Sequence, residues 1–373
     1  MAELGEVIAT LEQHYDPRWA ESWDAVGLVC GDPDAAVDNV HLAVDPVAAT
    51  VDEAIAAGAQ LLVTHHPLYL RGTTSVAAST AKGRLVHRLI SNGIGLYVAH
   101  TNADVADPGV SDALAAAIGV RDVEPLDPRP GEPQDKLVTF APADAVDRIL
   151  DALAAAGAGT IGDYTRCAYL GDGTGTFLPG KNADPTIGTR DRVERTPETR
   201  LEIVLPRARR HNVVRALLDT HPYEEPAYDV FELAMFGGRR GLGRVGTLAG
   251  PTTLDEFTRA VASSLPSTAW GVRAAGDPRR PVSTVAVCGG SGGELAAVAA
   301  RAGADVLVTA DLRHHPASEN AEDGGVALVD AAHWATEWPW LGQAAALLTT
   351  VETTVSTAVT DPWTVHAHQT EET

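Results

Sequence analysis

The sequence predicts an α/β protein in which two similar α/β halves form one discontinuous domain around an inserted α+β, ferredoxin-like module. Three observations carry this. The stretch Ala57-Gly58-Ala59-Gln60-Leu61-Leu62-Val63-Thr64 reappears as Ala302-Gly303-Ala304-Asp305-Val306-Leu307-Val308-Thr309. Each copy closes a strand-helix-strand unit whose strands are continuously apolar, as parallel sheets covered on both faces require. Between the copies, the segments follow the order strand-helix-strand-strand-helix-strand.

In the first half NVHLAVDP reads as a buried strand and VAATVDEAIAAG as a helix ended by Gly58. LLVT is the next strand, KGRLVHRLISNG the next helix, and GLYVAH (Gly95 to His100) the strand after it. In the second half TVAVCGGSGG, ELAAVAARAG, VLVT and GGVALVDAAH (Gly324 to His333) play the same parts. EPLDPRPGEPQD, from Glu124 to Asp135, reads as a linker because it is rich in proline and charge. The module then runs through KLVTF, DAVDRILDALAAAG, a strand near YTRCAYL, a polar Gly-rich stretch from about Gly171 to Pro197, RLEIVLP, RHNVVRALLDTH and AYDVFEL. The expected divisions are 1–130, 131–234 and 235–373. A chain of 373 residues has room for two or three domains at roughly 150 residues each.

Composition excludes several classes. No apolar run reaches the length of roughly 18 residues that spans a bilayer. The segment MAELGEVIATLEQHYDP has acidic residues where a signal peptide needs basic ones, so a cytoplasmic protein is expected. Three widely spaced cysteines rule out a disulfide scaffold and a Cys-rich zinc site, and they fit a reducing compartment. A net charge of −22 repels phosphate backbones and argues against non-specific nucleic-acid binding.

The chemistry-bearing residues gather at strand ends, where open α/β sheets place ligands. His65-His66 follows LLVT. The pair reads either as metal ligands or as hydrogen-bonded loop histidines. Adjacent side chains on a strand diverge, so two ions could take one imidazole each. Asp104 lies just past GLYVAH; it could bridge two ions or serve as an ordinary turn or cap residue. His333 and Glu337 lie past VALVD and share a face if that stretch is helical. Pro339 then requires the helix to begin close to His333. Five ligands across two ions leave coordination positions open, as in catalytic sites, and they suit zinc, iron, manganese, nickel or cobalt alike.

Weaker candidates surround these. Gly289-Gly290-Ser291-Gly292-Gly293 lies between a strand and a helix, either as a cradle for a phosphate or as a tight turn. His100 and His315 are candidates for proton transfer, and Asp311, His314 and His315 for contacts around the ions. Gly241-Leu242-Gly243-Arg244-Val245-Gly246 matches a dinucleotide fingerprint, but Gly250-Pro251 intervenes before the next helix, so that reading is rejected.

Taken together, SWDAVGLVCGDP, LLVTHHPLYLRG, YVAHTNAD, VAVCGGSGGE, AGADVLVTADLRHH and VDAAHWATE resemble the Nif-three-like family, the GTP cyclohydrolase I type 2 homologues or dinuclear metal-centre hexameric proteins. The insert, ending in THPYEEPAYDVFEL, is similar to that of longer bacterial members, whose extra domain looks like PII or CutA-type proteins. The resemblance implies two divalent ions per subunit on His65, His66, Asp104, His333 and Glu337, in a toroidal homohexamer. The chain departs from the family where Ala310 stands for glycine and His314 for tyrosine. The expected function is a metal-dependent hydrolase acting on a small molecule. The alternative is a metal- or nucleotide-responsive ring that binds or regulates without turnover.

Overall fold

The computed structural model describes residues 2–234 and 237–367. By internal packing the chain forms two compact units: one is the chain up to Arg129 together with the chain from Gly238 onward, the other is Pro130–Gly237. Residues 235 and 236, where the expected second division falls, lie outside the described residues.

The larger unit contains two main sheets. The first has the strand order Glu352–Val355, Asn39–Ala43, Leu61–Thr64, Gly95–Val98, Gly27–Cys30, all parallel except the last. The second has the order Val272–Ala275, Ala327–Ala331, Val306–Ala310, Pro281–Ser291, Gly237–Thr253, Arg121–Pro130, and the strands from Ala327–Ala331 to Pro281–Ser291 are parallel. The repeated segments therefore occupy matching places. Leu61–Thr64 and Val306–Ala310 both run parallel between neighbours, and Gly58 and Gly303 both take positive φ (64° and 76°) to end the preceding helix.

Burial explains the unbroken apolar strands. Side chains alternate between faces, and here both faces are covered. Leu61, Val63, Val287 and Val308 face one shared core with Trp340 and Leu341 of the helix His333–Leu347. Leu62 and Leu96 face a second cluster with Val51 and Leu89 from the helices Ala48–Ala56 and Ala81–Ser91. Ala286 and Leu307 face a third with Ala299 of the helix Ala296–Arg301. Among the described residues, no helix is long and apolar enough to cross a membrane.

Two expectations are corrected here. The segment read as a linker is mostly strand: Arg121–Pro130 forms the edge of the second sheet, where prolines are tolerated because an edge leaves one row of N–H groups unpaired. The fingerprint glycines lie in the neighbouring strand Gly237–Thr253. A Cβ at Gly241 or Gly246 would collide with the carbonyls of Asp127 or Arg121, so these glycines admit the edge strand. In the smaller unit, the two ends of the Gly-rich stretch belong to a long antiparallel pair, Ala168–Phe177 against Glu194–Pro206.

The smaller unit is a four-stranded antiparallel sheet. Taken in chain order, Gln134–Ala141, Ala168–Phe177, Glu194–Pro206 and Tyr228–Glu232 are arranged fourth, first, third, second. The helices Val146–Ala155 and Arg210–Thr220 bury Ile149, Leu153, Val213 and Leu217 against Leu137, Leu201 and Ile203. This is the ferredoxin-like arrangement.

Asp135 is buried in this unit, between Arg207 Nε at 3.0 Å and Arg210 Nε at 2.6 Å. The Arg210 and Arg207 guanidiniums hold its carboxyl below the usual range. A depressed carboxyl adds stability above its unfolded value of about 3.9 and loses it as pH falls through the folded value. Asp135→Asn is therefore expected to lower unfolding stability at pH 7 by roughly 2 kcal/mol, the scale of a hydrogen bond to a charged group. In urea titrations the gap from wild type should close below about pH 4; a gap unchanged down to pH 3 would remove the assignment.

Candidate metal centre

The two sheets present their strand ends to one cluster. His65 and His66 leave the strand Leu61–Thr64 with backbone N–H groups still donating to Ala43 O (3.2 Å) and Val44 O (2.8 Å). The chain has left strand geometry at these positions, so the side chains do not diverge as on a strand; the rings lie 5.2 Å apart. The ligand atoms of His65, His66 and His100 all lie within 4.8 Å of one another, and so do those of His66, His333 and Glu337. Asp104, in the short helix Thr101–Asp104, places Oδ1 3.7 Å from His65 Nε2. The helix His333–Leu347 opens at His333 and sets Glu337 one turn later. It continues through Pro339, which lies beyond the first turn to which the sequence argument confined it.

Each imidazole is held through Nδ1. His65 Nδ1 meets Ala99 O at 3.0 Å, His66 Nδ1 meets Asp45 Oδ1 at 2.7 Å, His333 Nδ1 meets Asp311 Oδ2 at 2.7 Å, and His100 Nδ1 meets Asp24 Oδ1 at 2.9 Å. An acceptor at Nδ1 takes the ring proton and leaves a lone pair on Nε2. Those Nε2 atoms converge. His66 and His333 stand 3.3 Å apart at Nε2, and Glu337 lies 2.9 Å from His333, 3.2 Å from His66 and 3.5 Å from His65. His65 Nε2 is buried without a hydrogen-bond partner.

The electrostatics follow from this crowding. Burial alone would push Glu337 up, but the His66, His333 and His65 imidazoles hold it well below the usual carboxylate range. Burial alone would lower His66 and His333; Glu337 lifts His66 well above its ordinary value, helped by Asp45, and lifts His333 to about 9, helped by Asp311. Burial dominates at Asp104 and raises it, against His65 and His100. At Asp24 burial is outweighed by His100 and Thr101, which lower it. Lone pairs this close need an electrophile between them, either protons or a cation.

The weaker candidates separate. His100 belongs to the cluster, 5.1 Å from His65 and 5.5 Å from His66 between ring centroids. His315 does not: it lies in the first turn of the exposed helix His314–Glu322 against His314. No hydrogen bond or ring contact among the described residues joins it to the cluster. The Gly289–Gly293 stretch adjoins the centre. The amides of Gly289 and Gly290 are engaged by Ser111 Oγ and Thr336 Oγ1, so neither is available to a phosphate. Gly290 has φ of 64°, and a Cβ there would stand 2.5 Å from Glu337 Oε1. Its glycine permits close approach to the ligands.

The sequence reading missed Asp24 and Asp45. Asp45 stands at the end of NVHLAVDP, a third strand end, and that was its available signal. Asp24 lies 76 positions from His100, and its available signal was its place in SWDAVGLVCGDP. Asp311, singled out by its position, takes a left-handed φ of 56° that aims its carboxylate at His333. A cavity of about 310 Å³ opens beside His66 and His333.

The profile of the family described as Duf34/NIF3 (NGG1p interacting factor 3) matches residues 2–362. A Mycobacterium tuberculosis protein named GTP cyclohydrolase 1 type 2 homolog is 51% identical over 366 residues, covering 96% of each chain. A crystal structure of a Bacillus cereus protein related to NIF3 is 35% identical, with a TM-score of 0.75, covering 97% of this chain and 98% of that one. A Staphylococcus aureus structure is 29% identical with a TM-score of 0.83 at the same coverage.

Proposed function

The chain belongs to the Duf34/NIF3 family, and from that premise we propose that it is a dinuclear divalent-metal protein acting as a metal-dependent hydrolase. The observation that carries the reading is the convergence of imidazole Nε2 atoms on Glu337, with every Nδ1 already committed elsewhere. The residues fit such ions. A buried, partnerless His65 Nε2 is what a ligand set for a cation leaves in its absence. Mixed imidazole and carboxylate donors suit zinc, iron, manganese, nickel or cobalt.

His65, His66, Asp104, His333 and Glu337 would hold two ions. When bound, such ions polarise a substrate oxygen and bring water to nucleophilic form near neutral pH. The remaining work falls to the chain. Asp45 and Asp311 fix the rings of His66 and His333 in one tautomer and orientation. His100, held by Asp24, offers Nε2 as a site that takes and returns a proton. The apolar strands beneath exclude water from the lower side of the cluster. The bond attacked is a ring carbon–nitrogen bond, an amide or a phosphoester, and the assembly is the homohexamer that the resemblance implies.

Elemental mass spectrometry on protein purified without added metal or chelator tests this. Wild type is expected to carry about two ions per chain, and the His65→Ala/His333→Ala double variant almost none. A metal-free wild type that stays so after incubation with zinc, manganese and iron would overturn the reading. It would also bring forward the regulatory alternative.

A further inference from the structure

The cavity beside His66 and His333 has a chemical character of its own. Asp45, Asp311 and Asp361 line it, together with Trp270, Trp334 and Trp363. Among the described residues no lysine or arginine lines it. Asp45 and Asp311 are engaged by His66 and His333, whereas Asp361 is engaged by neither. Asp361 is 7% exposed, and its Oδ2 is buried without a hydrogen-bond partner. Burial, reinforced by Asp311 and Asp45, pushes its carboxyl up, against the backbone N–H of Trp363, which donates to it, and the nearby His333.

The aromatic wall adds shape. Trp270 and Trp363 stand 5.8 Å apart at 38°, a splayed pair, and Trp363 is 60% exposed. The indole Nε1 of Trp270 is buried and without a partner. Trp270 already takes a planar cation on its ring, the Arg273 guanidinium, 4.7 Å from the centroid. The charge of Arg273 is matched by Asp330 at 2.7 Å, so it does not neutralise the acidic wall. Flat rings stack on indole faces, and cations are drawn to them.

We propose that this cavity receives a planar, cationic nitrogen compound, an aromatic amidine or aminated heterocycle, with its ring against Trp363 and its N–H edge on Asp361. As a statement of substrate class the inference rests on the hydrolase reading; as a statement of binding it does not. A phosphorylated nucleotide is a poor match for the same wall, because no lysine or arginine lines it and the His66 and His333 imidazoles are already paired with Asp45 and Asp311, which leaves the Asp361 carboxylate facing the space where the phosphates would extend.

The test is a ligand-observed NMR titration of the full chain, both stripped of metal and loaded, with metal content measured on the same samples. The probes are benzamidine (flat cation), benzoate (flat anion), cyclohexylammonium (cation without a flat ring) and guanosine monophosphate. Benzamidine should bind metal-free protein at least about tenfold more tightly than the other three, a difference within the range of one lost stacking or charge contact. Trp363→Ala and Asp361→Asn should each weaken benzamidine by about tenfold. Trp363 is exposed enough that its variant folds whatever becomes of Asp361→Asn, and circular dichroism checks both. Benzoate or the nucleotide binding metal-free protein as tightly, both variants binding like wild type, or no benzamidine binding at millimolar concentration would overturn the proposal. Two ions per chain without probe discrimination would sink this inference and leave the metal centre standing. Discrimination in a protein that takes up no metal would do the reverse.

Discussion

Glu337→Gln is expected to lower metal affinity by at least about 100-fold, since even residues acting through a ligand are worth 10–100-fold. The carboxylate is buried and touches three of the imidazoles, with His333 at 2.9 Å, His66 at 3.2 Å and His65 at 3.5 Å. Glutamine keeps the shape but removes the charge that holds those ligands together. A 100-fold loss of affinity removes about 2.7 kcal/mol of metal-linked stabilisation at saturating metal. The melting temperature of Glu337→Gln should therefore respond far less to added zinc or manganese than that of wild type. Among the described residues Asp311 bonds one ring, at His333 Nδ1, and the effect of Asp311→Asn should fall at about 10-fold, near the lower end of the range for residues that orient a ligand. The order of the two variants is the discriminating result. Equal metal content in Glu337→Gln and wild type after competition with a chelator would remove Glu337 from the ligand set.

Arg244→Leu carries the largest expected cost to stability. Arg244 is 1% exposed, and its guanidinium bonds the carbonyls of Gly241 and Gly243 at 2.8 Å each, the carbonyl of Ala106, and Asp112 Oδ2 at 2.7 Å. It joins the long strand Gly237–Thr253 to the helix Val110–Ala117, which packs beside the helix bearing His333 and Glu337. Leucine would restore volume but strand a carboxylate and three carbonyls. Breaking a buried ion pair on one side costs about 3–5 kcal/mol, against a total stability of roughly 5–15 kcal/mol. Urea titration should show a lowered midpoint with an unchanged slope. Arg244→Lys should recover only part of the loss, because an ammonium cannot serve four acceptors in one plane. A midpoint within error of wild type for Arg244→Leu would refute the account.

The fold was legible wherever a short pattern encodes it. LLVT and VLVT are apolar up to their closing threonine, and such strands belong in sheets covered on both faces. The five candidate ligand residues could be picked out because each stands at a strand end or one helical turn beyond it. Of the carboxylates that orient the imidazoles, Asp311 was singled out by its position, and Asp24 and Asp45 were not. Asp45 is 21 positions from His66 and Asp24 is 76 from His100. A carboxylate at such a distance looks like any surface acid until the chain folds. The Pro-rich segment from Glu124 misled for a related reason. Proline density marks an absence of ladder donors, which an edge strand tolerates as readily as a linker does. In the Gly-rich stretch after Gly171, pairing with Glu194–Pro206 overrides weak local strand preference.

The strand Glu352–Val355 lies parallel beside Asn39–Ala43, and Thr354 Oγ1 meets His41 Nδ1 across 313 positions of sequence. During synthesis, which runs from Asn39 towards Val355, the flank of Asn39–Ala43 stays bare until almost all of the described chain has left the ribosome. Closing so long a loop is slow, and an uncovered parallel edge invites other chains. The nascent protein thus passes through an extended interval of vulnerability, during which a chaperone that shields Asn39–Ala43 would raise the yield of folded protein.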